Sequence, residues 1–238
     1  MTNKKKFYLK LIAEIIPPFL FRSLKSLKIF LYRNSQKISM SSENTHQDIN
    51  VYWDNEMATL LETWGANSVW KEISLLTFSC TGRILDIACG TGKAMEIIGN
   101  HSNEIYGCDI SDLLISKAIQ RGIKPDNLTL CDATKMPFPN DYFDYAYSIG
   151  SLEHFTEEGI SQVIAGCYRT VLKVSFHMVP VARSKINEGW LKHNQSFHNN
   201  TVAWWLEKFQ SVYKTVYVLD STWEDSISEG KWFVCVKS

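Results

Sequence analysis

The sequence lacks a metal-binding signature. Its six cysteines, Cys80, Cys89, Cys108, Cys131, Cys167 and Cys235, are scattered, and no C-x-x-C pair or Cys/His group has zinc spacing. That pattern excludes a structural zinc site, fits a reducing compartment, and leaves the cysteines as small buried residues. Net charge is also missing, since 25 Lys+Arg balance 25 Asp+Glu. A run of about 20 apolar residues, the length a bilayer-crossing helix needs, is absent from the N-terminal arm, whose longest uncharged stretch is Ile15 to Phe21. The arm has no small-residue cleavage site of the kind that ends a secretory signal. Finally, the glycine turn after Ile87 lacks the Lys-Ser/Thr of a phosphate-binding loop and the third small residue of a dinucleotide fingerprint, because Met95 stands at that place.

What is present is unevenly arranged. Up to Lys37 there are nine Lys/Arg against Glu14 alone, so the arm is +8 and the remainder −8. An acidic body is a poor footprint for nucleic acid, and no nucleic-acid partner is expected. After Pro17-Pro18, residues Leu20, Leu24, Leu27 and Leu31 fall on one helical face, with Arg22, Lys25 and Lys28 off it. Such a basic amphipathic helix over 7–33 suits an anionic leaflet, which would make the protein peripheral to the cytoplasmic face of a membrane. A helix packed on its own domain or on a second subunit has the same pattern. The organisation expected is a helical arm over 1–37, a polar linker over 38–49 and a catalytic body over 50–238.

The chemistry concentrates in 83-RILDIACGTGKAMEII-98. Ile84 to Ala88 reads as a buried strand, Gly90-Thr91-Gly92 as a sharp turn, and Ala94, Met95, Ile97 and Ile98 as the start of a helix. Strand, glycine turn and helix in that order open a doubly wound α/β domain. Asp86 beside the turn would repel a pyrophosphate and attract an ammonium or sulfonium. The ligand is therefore expected to be cationic at this end.

The segment Leu85-Asp86-Ile87-Ala88-Cys89-Gly90-Thr91-Gly92 resembles motif I of the class I S-adenosylmethionine-dependent methyltransferases, L-D-x-G-C-G-T-G, with Ala88 in place of the first glycine. Asp109 follows Asp86 by 23 residues at the end of a second strand, and Asp132 ends a third strand, 127–131. The run 137-PFPNDYFDYAYSIGSLEHF-155 supplies a turn, a fourth strand and a loop. The resemblance covers about 50–175. It implies a Rossmann-like α/β fold, with a seven-stranded, mostly parallel sheet and a closing antiparallel strand, and S-adenosylmethionine as cofactor. In that frame Asp86, Ala88, Cys89, Gly90, Thr91 and Gly92 form the glycine loop and Asp109 chelates the ribose hydroxyls. Ile110 lies on the adenine face, Asp132 and Ala133 meet the adenine edge, and Ser148 to Ser151 line the methyl end. Lid helices would span 50–77, with Tyr52 at the substrate.

For a hydroxyl acceptor a base must remove a proton, and His154 after the fourth strand is the first candidate, with His177 on the fifth strand, 171–180, the second. No Pro-Gly-Gly turn precedes that fifth strand, a departure from the family pattern. The insertion 181–203 is dense in Arg, Lys, His, Asn and Trp. Aromatic faces beside amide and imidazole groups suit a polyhydroxylated ligand, so Trp190, His193 and His198 are substrate-side candidates; a solvated loop leading to a core Trp204-Trp205 is the alternative. The expected activity is methyl transfer to a small polar acceptor, of the sugar or glycan-precursor kind used in surface-polysaccharide synthesis. A quinone-like or lipidic acceptor accounts for the arm equally well, and a non-catalytic cofactor-binding or partner-binding module is the last alternative.

Overall fold

The computed structural model of the protein describes residues 54–99, 104–192 and 195–237. The basic arm, the linker, Tyr52 and His193 lie outside the described residues. Helices α1 (Asn55–Leu60) and α2 (Val69–Leu76) precede β1 (Arg83–Ile87), α3 (Lys93–Ile98), β2 (Glu104–Asp109), α4 (Asp112–Gln120) and β3 (Leu128–Leu130). Then come β4 (Phe143–Ile149), α5 (Glu157–Thr170), β5 (Val171–Ala182), β6 (Trp190–Leu191), β7 (Phe197–His198), α6 (Val202–Gln210), β8 (Thr215–Glu224) and β9 (Ser228–Val236). None of the described helices is long and apolar enough to cross a membrane.

Seven strands form one sheet in the order β3-β2-β1-β4-β5-β9-β8. The five from β3 to β5 run parallel, and β9 runs antiparallel to β5 and β8. The chain order reverses between β1 and β4, so the strand ends β1, β2 and β4 leave a crevice where open α/β sheets bind ligands. One core joins Ile160, Val163, Ile164 and Cys167 of α5 and Trp205 and Phe209 of α6 to Phe143, Ala146 and Phe233 on the sheet. The second joins Val69 and Ile73 of α2 and Ala94, Met95 and Ile98 of α3 to Ile84, Tyr147 and Trp232. Local signals set the helix starts: Thr156 caps α5 by accepting from Gly159 N at 3.0 Å, and Thr201 caps α6 by accepting from Trp204 N at 3.2 Å.

Two departures from the sequence expectation have physical reasons. Met95 fills the place of a third small residue in the glycine fingerprint because the small residue stands on the facing strand. A Cβ on Gly107 of β2 would lie 2.7 Å from Met95 Sδ and 2.9 Å from Cys89 Sγ. The close approach of helix and strand is kept, with the glycine moved from one partner to the other. The fifth strand runs on through Pro180 to Ala182, because its pairing with β4 ends at Met178 and beyond that point Pro180 is in register only with Gly230 of β9. A residue without an N–H is tolerated where one side of the strand is unpaired.

Candidate active site

β1 and β2 deliver two carboxyl groups to the crevice. Asp86 is 3% exposed, and Tyr147 of β4 donates its hydroxyl proton to Oδ2 at 2.9 Å. Burial pushes this carboxyl well above the carboxylate range, against the pull of the Tyr147 hydrogen bond, and the charge of Asp109 pushes it the same way. Asp109 is 4% exposed; its Oδ2 accepts from Gly90 N and its Oδ1 from Ser111 N, both at 2.9 Å. Burial raises it too, against these backbone donors. Among the described residues, neither has a Lys or Arg among its hydrogen-bond partners or the charges acting on it. Two buried carboxyl groups left without a counter-cation suit a ligand that brings one.

The turn between them is left-handed at three residues: Ala88 at φ 57°, Gly90 at φ 56° and Gly92 at φ 73°. Ala88, the residue that replaces a glycine, is thus strained by its own Cβ. Ala88→Gly removes that strain at some cost in chain entropy, so it is expected to stabilise the protein by about 0.5 to 1 kcal/mol, read as a rise in Tm of about 1 to 4 °C. An unchanged or lower Tm would show the turn to be relaxed with alanine.

The segment from α1 onward covers this turn. A Cβ on Gly90 would meet Leu61 Cδ1 at 3.3 Å, and one on Gly150, just past β4, would meet the Trp64 indole at 3.3 Å. Arg121, at the end of α4, ties the cover down. Its Nε donates to Thr91 O at 2.9 Å and its Nη1 to Glu96 at 2.8 Å, while Nη2 bonds the Glu62 carboxylate.

On the far side of the crevice, β4 leads through Gly150 into a 3-10 turn, Leu152–His154. His154 Nδ1 lies 2.8 Å from Ser196 O, which fixes the proton on Nδ1 and leaves the lone pair on Nε2. Burial lowers the imidazole below its ordinary value, against the Ser196 carbonyl, so the ring is neutral at neutral pH. Ser196 precedes β7, so the short β6–β7 hairpin packs beside the histidine, with Phe197 edge-on to its ring at 6.5 Å.

A model of the methyltransferase domain matches residues 84–175, the stretch from β1 to β5 that carries both carboxyl groups and His154. That stretch, from β1 to β5, is similar to the methyltransferase domain family. The chain is 26% identical over 157 residues to the ubiquinone/menaquinone biosynthesis C-methyltransferase UbiE of Burkholderia mallei and of Burkholderia thailandensis, covering 61% of this chain. The match spans 62% of the length of those relatives. Among solved structures, a protein from Pyrococcus horikoshii aligns with a TM-score of 0.56 and 20% identity over 82% of this chain and 96% of its own. Magnesium protoporphyrin IX methyltransferase from Synechocystis, solved with bound S-adenosylmethionine, aligns with a TM-score of 0.58 and 12% identity over 82% and 87%. At those identities the structural likeness is one of fold.

The residues present fit the family's cofactor, because the unbalanced Asp86–Asp109 pair suits a ligand with an ammonium and a sulfonium. Among the described residues no group of three or more His, Cys, Asp or Glu is placed to hold a metal ion. Ile110 stands 50% exposed beside Asp109, and Asp132 spends Oδ1 on Thr134 N at 2.9 Å, with Ala133 buried behind it. Cys89 and Thr91 are both buried in the loop.

Two expectations are corrected. Ser148 is fully buried and bonded to His177 Nδ1 at 2.9 Å, so it does not line the methyl end. Strand alternation is the reason: its neighbour Tyr147 faces Asp86, and Ser148 points to the opposite face, covered by α5 and α6. His177 is no base either. It is fully buried, its Nε2 meets Ser175 Oγ at 3.0 Å, its ring stacks on Phe209 at 5.2 Å, and burial lowers its pKa to about 3. The asparagines of the insertion are spent inside the protein: Asn200 Oδ1 accepts from Gly189 N at 2.8 Å, and Asn199 Oδ1 accepts from Ser228 Oγ of β9 at 3.1 Å. Trp190 and Trp204 enclose His198, with ring centroids at 4.9 and 5.2 Å, and burial lowers that imidazole to about 4. Sequence reasoning missed Tyr147, Arg121 and Ser196. A tyrosine between strand residues and an arginine after a helix carry no signal of their own.

Proposed function

We propose that this chain transfers the methyl group of S-adenosylmethionine to a hydroxyl of a small polar acceptor, of the sugar or glycan-precursor class, with His154 as the base. The observation that supports this most is the fixed tautomer of His154: Nδ1 is held by Ser196 O at 2.8 Å, which leaves Nε2 free to take a proton. Asp86 and the glycine loop would hold the methionine end of the cofactor, Asp109 its ribose, and Ile110, Asp132 and Ala133 its adenine. When bound, the cofactor supplies an electrophilic methyl group on a sulfonium. The protein's part is then alignment, exclusion of water under Leu61 and Trp64, and removal of one proton at Nε2. Trp190 and His198, carried on the hairpin that Ser196 joins to His154, would form the acceptor side with Tyr52 and His193. The basic arm would keep this chemistry at an anionic leaflet.

A quinone-like acceptor is the second reading, favoured by the name of the UbiE relatives. Release of S-adenosylhomocysteine, measured across methyl glycosides, nucleotide sugars and quinols, separates the two. Turnover confined to the sugar members is the expected result, and turnover confined to quinols would replace this reading with the second.

A further inference from the structure

Glu153 is the one residue of the 3-10 turn whose chemistry the base assignment does not use. Its side chain is 6% exposed, and its buried Oε2 has no hydrogen-bond partner among the described residues. Its Oε1 lies 3.8 Å from His154 Nε2, too far for a hydrogen bond between them. Among the described residues no Lys or Arg acts on it, and burial pushes its pKa up to about 8, so it stands protonated and neutral at neutral pH. The carboxyl belongs to the end of β4: a Cβ on Gly150 would sit 3.6 Å from Oε1 and 3.3 Å from the Trp64 indole. Buried carboxyl groups without partners are rare, and they concentrate where a ligand completes their hydrogen bonds.

A base nitrogen and an unsatisfied carboxyl side by side, 3.8 Å apart and not bonded to each other, make a receptor for two neighbouring hydroxyls of one molecule. We propose that Glu153 recognises the acceptor: its carboxyl binds the hydroxyl adjacent to the one that gives its proton to His154, so that the substrates are vicinal diols. This deepens the methyl-transfer reading and rests on it. The bonds balance simply: the acceptor oxygen gains the methyl group as the sulfur–methyl bond breaks, and sulfur keeps that electron pair. The hydroxyl proton passes to Nε2, and Glu153 exchanges only hydrogen bonds. A neutral carboxyl both donates and accepts, so it can bind a hydroxyl without repelling it.

The test pairs a diol with its single-hydroxyl counterpart, methyl riboside against its deoxy form, with S-adenosylhomocysteine release as readout. Glu153→Leu removes the hydrogen bond with an apolar side chain suited to a buried site, and Glu153→Gln restores part of it. The wild type is expected to favour a diol by at least about tenfold in kcat/KM. Glu153→Leu should erase that preference through KM, Glu153→Gln should recover part of it, and S-adenosylmethionine affinity by calorimetry should stay unchanged in both. A merely structural role would lower both members of a pair together, and that result overturns the proposal. Equal use of diol and single hydroxyl by the wild type overturns it too, as does absence of diol turnover in a protein that binds the cofactor. Absence of cofactor binding overturns instead the methyl-transfer reading beneath it.

Discussion

His154→Ala is expected to lower turnover by about 10² to 10⁴ while leaving S-adenosylmethionine affinity unchanged, the usual reach of a general base removed from a positioned site. His154 sits on the turn after β4, opposite the two carboxyl groups of the cofactor crevice, so its loss leaves the glycine loop intact. The pH profile carries a second signature. Burial lowers the imidazole below its ordinary value of 6.5, so the neutral base form persists as the solution is acidified to that point. The rate should hold through neutral pH and fall only on the acid side of about 6.5. In the alanine variant this acid limb should vanish. A loss smaller than about tenfold at saturating cofactor and acceptor removes His154 from the mechanism and leaves catalysis by positioning.

Asp109→Ala is expected to weaken S-adenosylmethionine and S-adenosylhomocysteine binding by about tenfold to a hundredfold. A carboxylate that accepts ribose hydroxyl bonds is worth about 1.5 to 3 kcal/mol, and each 1.4 kcal/mol is about tenfold. The structure adds a second route to the same loss. Asp109 Oδ2 holds Gly90 N and Oδ1 holds Ser111 N, so the carboxylate also fixes the glycine loop to the end of β2. Asp109→Asn keeps one acceptor oxygen and should lose less than the alanine variant. Equal affinity in wild type and Asp109→Ala would place the ribose elsewhere.

The parallel half of the sheet was legible in the sequence because its strands are short apolar runs bounded by acidic residues and glycines. Asp86, the Gly90-Thr91-Gly92 turn, Asp109 and Asp132 could be ordered from spacing alone. What spacing misses is the face on which a residue lands. Ser148 and His177 stand at the right places along β4 and β5 and pair in register, yet on the side covered by α5 and α6. A shift of one residue along a strand reverses the side. The asparagines of the insertion show a second effect. Asn199 and Asn200 have the composition of a ligand-reading loop, but their amides bond Gly189 and Glu188 of their own segment and Ser228 of β9. Composition does not distinguish a polar group turned outward from one spent internally. Glu153 was hidden most completely, since a glutamate beside a histidine in a loop reads as solvated, and its burial comes from the folded turn and not from the sequence pattern.

Two buried carboxyl groups and a glycine turn, with no balancing cation among the described residues, are proposed to hold a cationic nucleoside rather than a pyrophosphate. Calorimetric titration of the protein with S-adenosylmethionine, S-adenosylhomocysteine and a nicotinamide dinucleotide tests this central claim most directly. Saturable binding of both S-adenosyl compounds with no heat from the dinucleotide is the predicted result. Binding of the dinucleotide with no heat from either S-adenosyl compound would contradict it.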